Sequence, residues 1–177
     1  MTNNGSGTFA LTTRPCDAAI GRDAPRGAIR EQSPAIVAFV SALAARLARE
    51  GGAALLIDYG YAKPALGDTL QAVHAHRYHP VLEDLGSADL TAHVDFTAVA
   101  EAAAAAGARV HGPVDQGAWL TRLGIDVRLA KLSAGKDPER RRALESGVQR
   151  LTDPRGMGSL FKAMALTHPS LTPEGFA

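Results

Sequence analysis

The chain holds one cysteine, Cys16, so it has no internal disulfide framework, and the lone thiol suits a reducing compartment. Aromatic side chains make up only 5% of the 177 residues, and alanine supplies much of the 46% hydrophobic content. Alanine helices form readily but bury little area per residue, so the core has to be built from a few larger side chains. There is no surplus of either charge: 19 basic against 18 acidic residues leave a net +1, which gives no support for a nucleic-acid partner. No apolar run approaches the roughly 20 residues of a membrane span, so no membrane insertion is expected. The opening MTNNGSGTFALTTRP lacks the continuous apolar core of a secretory signal, which predicts a bacterial-type cytoplasmic location. Three chemical signatures are missing as well. Neither G-x-G-x-x-G nor G-x-x-x-x-G-K-[ST] occurs, so there is no visible dinucleotide loop or phosphate cradle. G-x-S-x-G is absent too, and nothing in the sequence pairs Cys16 with a base.

What is present reads as about one α/β domain. Residues 8–13 alternate enough for a short strand, and 15–26 form a loop with two prolines. Ser33-Pro34 is a helix start of N-cap plus first-turn proline, and Ile36, Val40, Leu43 and Leu47 mark one apolar face. Gly51-Gly52 ends that helix. The run 53–57 predicts a strand buried on both faces, as in a parallel sheet, bounded by Asp58 and Gly60. Residues 67–79 are an exposed strand or an ordered loop. Asp95 caps a helix to Ala106 that Gly107 closes, and 108–111 is a further strand. Short helices over 116–123 and 126–133 flank Gly124, Asp137-Pro138 opens another to about Leu151, and 159–166 is the last strand candidate. A tail covers 169–177.

Chemistry-bearing residues concentrate in three stretches: GGAALLIDYGY (51–61), GDTLQAVHAH (67–76) and DLTAHVDF (89–96). Ligands of open parallel sheets bind beyond the carboxyl ends of strands, which places Asp58 and Tyr59 at a binding edge. The alternative is a turn in which Asp58 bonds nearby amides and Gly60 supplies the bend. His74, His76, His79, His93 and Asp95 are metal-ligating types, and in an extended segment His74 and His76 share a face. Their spacing matches no metal motif, so they read as polar residues of a surface or groove, and no metal is expected. The basic cluster Arg140-Arg141-Arg142 is interleaved with Glu139 and Glu145, which marks a solvated helix face.

These three stretches, together with QGAWLTRLGI (116–125) and RLTDPRGMGSLFKAMAL (150–166), resemble the MidA-like class I S-adenosylmethionine-dependent methyltransferases. That family includes a mitochondrial complex I assembly factor of the protein arginine methyltransferase type. The likeness is collinear over 28–176, and His74 departs from the family pattern. It implies a Rossmann-like sheet in which 53–57 and 108–111 are late parallel strands and 159–166 is the final antiparallel one.

The resemblance also implies S-adenosylmethionine as cofactor, held in the family by a glycine-rich loop and an acidic residue on earlier strands. Neither feature is found in these residues, so the resemblance covers the substrate-side, C-terminal half of such a domain over 28–168, after an N-terminal strand and loop region over 1–27. A protein substrate follows from the family, a respiratory complex I subunit among the candidates, and a mitochondrial location in eukaryotic relatives. If the nucleophile is an arginine guanidinium, carboxylates grip it bidentately. Asp58 and Asp95 are then the catalytic carboxylates and His93 a proton acceptor. Glu31, Tyr59, Asp68 and His76 become substrate-binding candidates, His76 a second proton acceptor among them. An isolated half is expected to be inactive alone, or to serve as a non-catalytic assembly module, or to be a fragment with no independent function. A sheet edge left uncovered predicts self-association.

Overall fold

The computed structural model describes residues 2–3, 9–11, 24–84 and 86–176. The expected loop over 15–26 and Cys16 lie largely outside them. In chain order the elements are β1 (Thr2–Asn3), β2 (Phe9–Ala10), α1 (Pro34–Glu50), β3 (Ala53–Tyr61), β4 (Gln71–His74) and β5 (Arg77–His79). β6 (Asp89–Thr91), β7 (Val94–Asp95), α2 (Phe96–Ala105), β8 (Arg109–Asp115) and α3 (Gln116–Arg122) follow. The chain closes with α4 (Ile125–Ser133), α5 (Pro138–Thr152), α6 (Met157–Leu160) and β9 (Phe161–Thr167). They fall into two compact units, one of residues 1–32 and 65–93, the other of 33–64 and 94–177.

The larger unit is a four-stranded mixed sheet of order β7-β3-β9-β8. β3 is parallel to β7 and antiparallel to β9, and β8 is antiparallel to β9. The last strand of the chain is antiparallel, as the family resemblance implies, and it lies between two strands that run together. On one face α1 and α2 pack against Met164 and Leu166 of β9, with Leu56 and Val110 partly buried beside them. α1 starts where Ser33 accepts from the Ile36 amide and Pro34 takes the first turn, and Gly51 ends it at φ 86°. Its buried stripe is Val40, Ala44 and Leu47, while Ile36, in the first turn, stays exposed. On the opposite face Trp119 of α3 and His111 of β8 are buried, and Phe176 of the tail lies 5.9 Å from the Trp119 ring.

β3 corrects two expectations. It runs on through Asp58, Tyr59 and Gly60 to Tyr61, because β9 pairs with it as far as Tyr59 and β7 takes up Gly60 and Tyr61. Asp58 is thus inside the strand and not in a turn beyond it. Nor is the strand buried on both faces: Ala54 and Leu56 pack on the core, but Leu55 and Ile57 are 50% and 42% exposed. Among the described residues no strand pairs with β3 over 53–59 on its β7 side.

The smaller unit contains the sheet β5-β4-β6. Residues 67–79 are a loop and a tight hairpin, with His74 opposite Arg77 and only Ala75-His76 between them. Both turn residues have positive φ (47° and 63°), the geometry that matches a two-residue hairpin to strand twist. The condition under which His74 and His76 would share a face, a single extended segment, is therefore not met, since the chain reverses at Ala75-His76.

Candidate functional site

Two strands of the larger unit feed helices with no intervening loop. β7 ends at Asp95 and α2 begins at Phe96; β8 ends at Asp115 and α3 begins at Gln116. The two aspartates behave differently. Asp95 Oδ1 accepts from the Thr97 and Ala98 amides at 2.9 and 3.1 Å, so the expected cap is made. Asp115 makes no side-chain cap bond. Its Oδ1 accepts from Lys162 Nζ at 2.7 Å and its Oδ2 from the Ser159 hydroxyl at 3.2 Å.

Lys162 stands opposite Asp58 on β3 and opposite Asp115 on β8. Residues directly opposed across antiparallel strands share a face, so Asp58, Lys162 and Asp115 form one row near the carboxyl ends of β3 and β8. Asp58 is exposed, and its Oδ1 accepts from the Tyr59 amide at 2.8 Å. Tyr59, pointing to the other face, meets the Phe161 ring edge-on at 5.5 Å and 85°. Asp95 lies opposite Tyr61, three residues further along, about 10 Å from Asp58 by strand rise. These two carboxylates share an end of the sheet without sharing a contact. Sequence reasoning missed Asp115, Ser159 and Lys162. An aspartate between strand and helix was a usable signal, the same one that found Asp95.

The smaller unit brings together another set. Glu31 Oε1 accepts from the Thr69 and Leu70 amides at 2.9 and 3.1 Å, and its Oε2 accepts from the Thr69 hydroxyl. The same Thr69 oxygen accepts from the His93 amide at 2.9 Å. Three distant segments are tied by one carboxylate and one hydroxyl. Asp68 is exposed beside this knot, and His76 stands away from it at the hairpin tip. His74 Nδ1 meets the Ser87 carbonyl oxygen at 2.8 Å, and its ring is 5.7 Å from that of His79. Among the described residues, no three His, Cys, Asp or Glu side chains are grouped to hold a metal ion.

Elsewhere, His111 is 8% exposed and its Nε2 is 3.0 Å from the Thr167 hydroxyl. Burial, helped by the Arg109 charge, pushes its pKa below the ordinary histidine value, with the Leu171 backbone opposing. A shallow hollow of about 360 Å³, lined by Arg49, Glu50, Gly51, Gly52, His168, Ser170 and Leu171, lies at the amino end of β3, away from the carboxylate row. No helix among the described residues is long and apolar enough to cross a membrane.

A mixed sheet whose last strand is inserted antiparallel between two parallel ones, with charged residues at the strand carboxyl ends, defines a Rossmann-like α/β protein of the class I methyltransferase kind. The model of an S-adenosyl-L-methionine-dependent methyltransferase family matches residues 6–114, more than half of the chain, and the chain belongs to that family. It is 44% identical over 129 residues to the Drosophila melanogaster homologue of the mitochondrial protein arginine methyltransferase NDUFAF7, covering 72% of this chain and 29% of that one. The human protein arginine methyltransferase NDUFAF7 is 37% identical over 159 residues, 89% of this chain and 35% of the relative. A Burkholderia thailandensis protein solved with S-adenosyl-homocysteine superposes with a TM-score of 0.81 at 31% identity, over 98% of this chain and 47% of that one. The chain thus spans about a third of the curated relatives it matches.

The family's cofactor can be tested against the residues present. A cradle for its charged end needs a glycine-rich loop opening a helix N-terminus. Among the described residues both strand-to-helix passages run on directly, and the α2 N-terminus is filled by Asp95 itself. Among the described residues these two passages supply no such cradle for the charged end of S-adenosylmethionine.

Proposed function

We propose that this chain supplies the substrate-side part of an S-adenosylmethionine-dependent methyltransferase that acts on a protein arginine, the cofactor being held by residues outside this sequence. The observation that carries the reading is the carboxylate row, in which Asp58 is exposed at the sheet edge with one oxygen uncommitted among the described residues. A guanidinium is a planar, permanently charged fork that a carboxylate receives bidentately, which orients one nitrogen for attack. Asp58 grips the guanidinium, the Asp95 carboxylate adds its negative charge at the same strand end, and Tyr59, on the other face of β3, is a further residue for binding the substrate. In the smaller unit, taken by itself, Asp68 and His76 are the residues we propose for binding a substrate chain and His93 the one for accepting a proton. Glu31 acts through Thr69, since three of its acceptor positions are already taken.

The relatives' names support a protein substrate, and a respiratory complex I subunit is the substrate we propose. A cytoplasmic location follows for a bacterial chain, where the curated relatives are named mitochondrial. The open flank of β3, with Leu55 and Ile57 beside it, is the surface on which the cofactor-holding part docks, and a second copy takes its place when that part is absent.

Calorimetry separates this from the second reading, a non-catalytic assembly module, which the missing cradle favours. The chain alone is expected to give no heat with S-adenosylmethionine. Adding the remaining part of a full-length family member should restore binding and methyl transfer to an arginine peptide. Restored binding without transfer would favour the module, and tight binding by the chain alone would sink the division of labour.

A further inference from the structure

The Asp58–Lys162–Asp115 row contains a choice that the strand register alone does not decide. Lys162 is opposed on both sides, and opposed Cβ atoms lie about 4.5–5.5 Å apart, so its flexible arm reaches either carboxylate. Its Nζ nevertheless sits on Asp115 at 2.7 Å, with the Lys162 side chain 14% exposed. The reason is local. α6 brings Ser159 alongside, whose carbonyl accepts from the same ammonium and whose hydroxyl donates to the other Asp115 oxygen. The bracket of ammonium, carboxylate, hydroxyl and carbonyl satisfies both charges on that side. Asp58 Oδ1 takes only the neighbouring Tyr59 amide, and its Oδ2 has no partner among the described residues.

Resting on the arginine reading above, we propose that Lys162 is a positioning residue: Asp115 and Ser159 hold its ammonium away from Asp58, which leaves the Asp58 carboxylate open to a cation carried by the substrate. A released ammonium would pair with Asp58 and oppose any incoming guanidinium. Paired with Asp115, it adds no net charge to the row, and Asp58 remains the acceptor on that face.

The test uses the full chain and two readouts. In a crystal structure of Asp115→Asn, Lys162 Nζ is expected within hydrogen-bond distance of Asp58. Calorimetry with N-acetyl-arginine amide should show binding to the wild type and about fivefold weaker binding to Asp115→Asn, the upper range of what an exposed ion pair is worth. The double variant Asp115→Asn with Lys162→Met should bind like the wild type, a rescue that mere structural damage at Asp115 does not allow. A Lys162 that stays on Ser159 in Asp115→Asn, or a double variant no better than the single one, overturns the proposal. A wild type that ignores the arginine probe removes the arginine reading, and the crystal structure still decides where Lys162 goes.

Discussion

Gly60 lies so close to Val94 that a Cβ at position 60 would stand 2.2 Å from the Val94 carbonyl oxygen. The approach lets β7 pair with the end of β3 and places Asp95 opposite Tyr61. Gly60→Ala forces the two strands apart. We expect a loss of about 1–3 kcal/mol, the range for overpacking, measured by urea unfolding. Wild-type stability would mean that β7 does not pair as described.

Two other glycines should respond in opposite directions. A Cβ on Gly158 would meet the Thr152 carbonyl oxygen at 2.2 Å, whereas one on Gly147, inside α5, meets nothing within 4 Å. Gly158→Ala should destabilise by at least about 1 kcal/mol, and Gly147→Ala should stabilise by roughly 0.5–1 kcal/mol through helix propensity. Melting temperatures of the two variants check both signs together.

Asp95 has one role in folding and a proposed one in chemistry, and the two separate by substitution. Removing the cap in Asp95→Ala should cost about 1 kcal/mol, while Asp95→Asn keeps a good cap and loses the charge. In a complete family member, the counterpart of Asp95→Asn should fold normally and transfer methyl groups poorly. Full activity in that variant, or in the alanine one, would remove Asp95 from the catalytic set.

His111 makes stability depend on pH. Its folded pKa is lowered, chiefly by burial, so the unfolded chain takes up the proton first. Its contribution is complete above the ordinary value of 6.5 and is lost as the pH falls through that value toward the lower folded one. Denaturant midpoints should therefore drop as the pH falls below the ordinary histidine value, and the His111→Asn variant should show a smaller drop. Equal slopes for the two proteins would dismiss the assignment.

The β3 flank predicts self-association. Sedimentation of the isolated chain should show species larger than a monomer, and Leu55→Lys with Ile57→Lys should shift them toward the monomer by charging the apolar face. A monodisperse, thermally robust wild-type monomer counts against it.

Much of the larger unit was legible because its signals are local. Ser33-Pro34, Asp95 and Asp137-Pro138 opened helices where expected, since a cap and a first-turn proline act within one turn. Strand 53–57 was found but misjudged in length and burial. An apolar run fixes neither which neighbour a strand takes nor whether anything covers its second face. The Ala75-His76 turn escaped notice because neither residue is a usual left-handed turn former. At the site, Asp58 stood out by its place after an apolar run, but Lys162 did not. Its partners are 3 and 47 residues away in sequence, and only the antiparallel insertion of β9 between β3 and β8 sets it between two aspartates.

A strand that, among the described residues, is bonded on one flank over 53–59 also has a thermodynamic consequence. Whatever pairs with β3 over 53–59 binds the folded chain and not the unfolded one, so it raises the apparent stability in proportion to the logarithm of its concentration. The melting temperature of this chain is then not a constant of the sequence. It should climb with protein concentration when copies pair, and with the concentration of any segment that supplies the missing ladder. The unfolding curve itself becomes an assay for what belongs on that edge.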